Sequence, residues 1–210
     1  MIYFYAKRHK EELALYHQMK PLLSSEKIPP LVHSFVYAGW AGTQAINGLQ
    51  QEAQASLALA RETLSRQPTT EICPLYIDYD PSQLFISEGL AHYDLGSYKE
   101  ALDSFLHVDG LSPKIPVAER GRLEFLNCQA LTVLHLPHQD RDMQQCIDYW
   151  TAAIQGAMTL KSKQRYDEAS RIYEFMEFTW PHEKKIKALR EIMEPWNKKE
   201  VEDPLSSTLQ

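Results

Sequence analysis

Small and apolar side chains recur along this chain at the spacing of a helix with one buried face. Tyr98, Ala101, Phe105 and Val108 lie three or four positions apart and Pro113 follows them. The same order returns about 68 residues later as Tyr166, Ala169, Tyr173, Met176 and Pro181. Ahead of the first set stands Gly96, which takes the positive φ that ends one helix and lets the next begin. Ala101 is predicted to be small because two helices approach closely there, and a leucine would overpack the contact. The same enlargement at Ala91 is expected to be tolerated. Phe85, Gly89, His92 and Tyr93 supply large, small and aromatic positions on a preceding helix, so helix, turn, helix and proline occupy residues 81–113.

A shift of about 68 residues is twice the roughly 34-residue period of tetratricopeptide arrays, and this stretch resembles one full repeat of that family. Tyr37, Ala41, Gly48, Ala53, Leu57 and Ala60 fit the same frame, with Asn47-Gly48 as the turn between helices at 32–46 and 49–66. Residues 67–80, with Pro68 and Pro74, are predicted as a loop between repeats. A third pair runs over 117–136 and from Met143 onward, with Cys146, Trp150 and Ala153 on its second helix and an irregular connection at 135–140. The last unit is predicted to reuse 157–163 as the end of a long helix, to turn near Gln164-Arg165 and to continue as a second helix over 166–178. A charged helix at 183–193 caps the array.

The resemblance implies an all-α fold, a right-handed superhelical solenoid of antiparallel helix pairs. It is read as a single domain over 1–196 with a disordered tail at 197–210. Residues 1–22 read as one amphipathic helix with Tyr5, Leu13, Tyr16 and Met19 on a face and Glu11 and Glu12 off it. It is similar to a second helix whose first helix is absent: an unusual cap, or the sign of a longer protein.

Composition narrows the function. The 210 residues carry a formal charge of -6, which argues against direct nucleic-acid binding, normally marked by a basic stripe. The longest apolar stretches, such as 31–40, are interrupted and too short to span a bilayer. Cys73, Cys128 and Cys146 are scattered, without a disulfide framework or zinc spacing, so a cytoplasmic location is expected.

Catalytic and metal chemistry find little support. His135 and His138 share a loop with Asp140 and Asp142, but Pro137 breaks any helix that would aim both rings one way and no third ligand has diagnostic spacing. Cys128 and Cys146 read as small buried apolar residues and His92 as a packing residue. Gly39-Trp40-Ala41-Gly42 lacks the strand and Lys-Ser/Thr of a phosphate loop and reads as a close helix contact. Neither a metal nor another cofactor is expected, and the chain is read as a non-enzyme.

Binding is the better expectation. In the resembled family the first helix of each pair lines a concave face, which nominates Gln83, Tyr93 and Asp94 together with Ile86 and Leu90, then Arg120, Glu124 and Asn127 on the next first helix. Amides pair with both groups of a peptide backbone, guanidinium clamps carboxylate and Tyr offers a rigid platform. A peptide or protein partner on this face is the expected ligand. Lys161, Lys163 and Arg165 around a turn, and Lys184, Lys185, Lys187 and Arg190 on the last helix, read as solvated faces. Phe175, Phe178, Trp180 and Trp196 either cover the end of the core or join two copies as a homodimer.

Asp140-Arg141-Asp142-Met143, Tyr149-Trp150, Gln155-Gly156-Ala157, Arg165-Tyr166-Asp167-Glu168-Ala169 and Trp180-Pro181 resemble the end of the repeat portion of bacterial helix-turn-helix transcriptional regulators. That resemblance implies a sensory or dimerising role without the DNA-binding domain. A sensory interaction module, a stand-alone scaffold or adaptor, and an enzyme built on the 135–142 loop therefore stand as three readings, the first leading.

Overall fold

A computed structural model describes residues 9–24, 28–66, 81–109, 119–194 and 196. The expected loop at 67–80, the tail at 197–210, Tyr5, Cys73 and Pro113 lie outside them. The described residues are helical with no strand, and no helix among them is long and apolar enough to cross a membrane. Packing divides the chain into two compact units, Met1–Val117 and Ala118–Gln210.

The first unit holds α1 (His9–Met19), α2 (Pro30–Ile46), α3 (Gln50–Ser65), α4 (Pro81–Asp94) and α5 (Tyr98–Asp109). Gly48 and Gly96 stand at the two tight turns with φ of 73° and 75°. In each turn the following amide reaches back five residues, Leu49 N to Gln44 O and Ser97 N to His92 O, both at 2.9 Å. That bond closes the α2/α3 and α4/α5 hairpins as a left-handed helix end does.

Contacts fix the directions. Gln44 meets Ser56 at 2.7 Å while Ser34 Oγ donates to Ala60 O at 2.8 Å, so α2 and α3 are antiparallel. Leu84 shares a cluster with Ala38, and Ala91 one with Ala45, so the first helices α2 and α4 run parallel. Gly89 packs so tightly on Phe105 that a Cβ would overlap the ring. Gly39 lies as close to the Tyr16 hydroxyl, the close helix contact expected of this stretch, whereas a Cβ on Gly42 would meet nothing.

The second unit holds α6 (Glu119–His135), α7 (Met143–Thr159), α8 (Lys163–Thr179) and α9 (Lys184–Ala188), followed by helical residues 190–194. Leu123 packs on Gly156 and Cys146 Sγ donates to Ala130 O at 3.6 Å, an antiparallel pair. Asn127 meets Arg165 and His135 meets Phe175, so α6 and α8 are parallel. Each unit thus repeats one plan: a hairpin, then a helix laid parallel to the hairpin's first member.

Four expectations need correction. The turn placed at Gln164-Arg165 lies at 160–162, where Lys161 takes φ 52° and Ser162 N bonds Ala157 O at 2.9 Å. This is the Gly48 turn made with lysine, and its missing glycine hid it. Lys161→Gly is therefore expected to stabilise the chain by about 1 kcal/mol, the cost of a Cβ in the left-handed region, checked by urea unfolding. The helix from 166 packs against both α6 and α7, as α4 packs against α2 and α3, and so takes a first-helix place. Ala91 is fully buried beside Ala41, Ala45, Ala53 and Leu57. Ala91→Leu should then cost as much as Ala101→Leu, about 1–3 kcal/mol by overpacking, in thermal denaturation of the two variants. Glu12, placed off the packed face, is 7% exposed on α1, while Met19 is exposed.

Candidate functional site

The six nominated residues fall on both units. Gln83, Tyr93 and Asp94 lie on α4, and Glu124 and Asn127 on α6; the Arg120 side chain is outside the described part of the structure. Tyr93 stands edge-on to Tyr98 at 5.5 Å, a contact within the α4/α5 hairpin. Gln83 is half-buried, with its backbone carbonyl accepting from Ser87 Oγ at 2.9 Å. Asp94 has an exposed surface but a carboxyl crowded enough that desolvation pushes it up to about 6, against the pull of His9.

Glu124 and Asn127 belong to a polar cluster. A separation of three residues puts them on one side of α6, and Arg165 and Glu168 share a side of α8 for the same reason. Because the helices are parallel, the two pairs meet. Arg165 pairs with Glu124 through one Nη and with Glu168 through the other at 2.7 Å. Asn127 Nδ2 donates across stretched distances, 3.5 Å to Arg165 O and 3.4 Å to Glu168 Oε2. Asn127 is only 4% exposed and its Oδ1 is buried without a donor.

Sequence reasoning missed Arg165 and Glu168 as members of this group. Arg165 read as part of a solvated patch around a turn, but it is 8% exposed because α8 begins two residues earlier and turns it onto α6. The matched three-residue spacings were the available signal, usable only once the helices are known to be parallel.

Two turns along α8 from Glu168 stands Phe175, and Phe178 follows one turn later on the more exposed side. Phe175 packs edge-on against His135 at 5.3 Å, whereas Phe178 is 82% exposed. Trp196 instead stacks on Tyr166 at 4.8 Å and covers that ring.

Asp142 caps α7 by accepting from Gln145 N at 3.0 Å. His138 and Asp140 lie exposed in a 3-10 turn, and burial, with Arg141 nearby, lowers the pKa of His135. Among the described residues no group of three His, Cys, Asp or Glu side chains could hold a metal. Burial raises the Cys146 thiol to about 12, leaving the nucleophilic thiolate scarce at neutral pH. No family model, curated protein or solved structure compared with the chain matches it.

Proposed function

We propose that this chain is a non-enzymatic module that binds an extended peptide or protein segment on its first helices. The observation that carries the reading is the α6/α8 cluster, in which a buried amide and an ion-paired arginine hold two partly open carboxylates. Such a group offers fixed hydrogen-bond acceptors to a strand laid across both helices. The resemblance to repeat-containing transcriptional regulators adds a biological setting, in which the binding event is sensory and controls self-association.

Fluorescence anisotropy of the full chain with pooled extended heptapeptides tests the reading. Saturable binding is expected, unchanged by EDTA, weakened at least tenfold by Glu124→Ala and unaltered by Asp148→Ala, an exposed position on α7. Binding lost with Asp148→Ala and retained with Glu124→Ala would overturn it.

A further inference from the structure

The partner segment's chemistry follows from the charges and the aromatic shelf of the second unit, on the binding reading given above. Glu124, Glu168 and Arg165 together carry a formal charge of -1, since two carboxylates surround one guanidinium. Arg165 uses only Oε2 of each carboxylate. Glu168 Oε1 accepts from Gln164 at 3.2 Å, and among the described residues no side chain is bonded to Glu124 Oε1, since Arg165 takes Oε2. Glu124 is also the more open of the two, its side chain 34% exposed against 28%. Beneath them the buried Asn127 Oδ1 is a second acceptor without a donor. Among the described residues two acceptors on one side of α6 therefore lack a donor, and the three charged side chains beside them sum to -1.

A second feature farther along α8 points to an apolar neighbour. Phe178 holds most of its ring in solvent, and Phe175 beside it is fixed by its edge contact with His135. The rise of α8 sets these rings about 10 and 15 Å from Glu168. An extended segment advances roughly 3.3 Å per residue and spans that interval in about three to five residues. Between the two ends stands Arg171, exposed and bonded through Nε to Asp167 O at 3.3 Å. Its charge disfavours a second basic residue in the middle of the segment.

We propose that the α6/α8 face takes an extended peptide that places one basic side chain, lysine or arginine, at Glu124 and Glu168, and a large apolar side chain three to five residues away on Phe175 and Phe178. The ammonium or guanidinium donates to Glu124 Oε1, and the apolar residue covers the exposed phenyl ring.

A displayed random heptapeptide library selected on the full chain tests this without presuming a sequence, followed by anisotropy with labelled acetyl-Lys-Ala-Ala-Ala-Phe-amide. Selected peptides are expected to pair a basic with a large apolar residue at that spacing. The Lys-to-Glu form of the probe should bind at least tenfold more weakly, and Phe178→Ser should weaken the original by a similar factor with its thermal midpoint unchanged. Glu124→Lys should reverse the preference and favour the Glu probe, a rescue that a purely structural role for Glu124 would not produce. Recovered peptides lacking the basic residue or the spacing, or an unreversed preference in Glu124→Lys, would overturn this assignment while leaving peptide binding standing. Failure to recover any peptide would overturn both.

Discussion

Trp150→Ala is expected to lower the unfolding free energy by about 4 kcal/mol, the largest single loss available in the second unit. Trp150 is fully buried on α7, its ring centroid 5.7 Å from that of Tyr173. Its Nε1 donates to Ala169 O at 2.8 Å, tying α7 to α8 where Ala169 lets the helices close. Truncation leaves a void that Cys146, Ala153 and Ala169, all buried and small, are too short to fill. Trp150→Phe retains much of the ring and should lose only about 1–2 kcal/mol, part of it the hydrogen bond. Urea unfolding of both variants measures the difference. Equal, sub-kilocalorie losses would show that this indole does not hold the two helices together.

Arg61→Ala is expected to cost about 3 kcal/mol, far more than its own exposed position suggests. Its side chain is 58% exposed, so the screened attraction alone is worth little. The cost comes from Glu88, whose side chain on α4 is 1% exposed and takes both Arg61 Nε and, at 2.8 Å, Nη2. Without arginine a buried carboxylate faces the α3/α4 contact unpaired. Glu88→Gln removes the charge instead and releases Arg61 to water, so it should cost less. Adding it to Arg61→Ala should restore part of the loss in a double-mutant cycle. Additive single losses would rule out this origin for the cost.

The residues that made the first unit legible were glycines with a necessary conformation. Gly48 and Gly96 mark turns because only a residue free of Cβ takes positive φ cheaply, and Gly89 marks a contact because Phe105 fills the space a methyl would need. The third turn was illegible for the converse reason, since Lys161 adopts the same conformation against its preference. The match of Tyr166, Ala169, Tyr173 and Met176 to Tyr98, Ala101, Phe105 and Val108 reported a buried helix face correctly. It did not report which neighbours cover that face, and α8 proved to pack as α4 does. Ala91 was misjudged because an alanine in the sequence does not say whether a neighbouring helix limits it.

Of the candidate site, Glu124 and Asn127 were legible through repeat position, whereas Arg165 and Glu168 were not. Their meeting depends on two parallel helices about 40 residues apart in sequence, a relation that no local pattern encodes. Tyr93 illustrates the opposite limit: it lies on a first helix as expected, yet its ring packs edge-on against Tyr98 in the same hairpin.

Hydrogen exchange of the full chain, read by mass spectrometry with and without a library-selected peptide at saturation, tests the central claim that the first helices form the binding face. Slowed exchange is expected in α6 and α8, strongest around 124–127 and 165–178, with the exposed side of α7 unchanged. Protection confined to α7, with α6 and α8 exchanging as in the free chain, would contradict it.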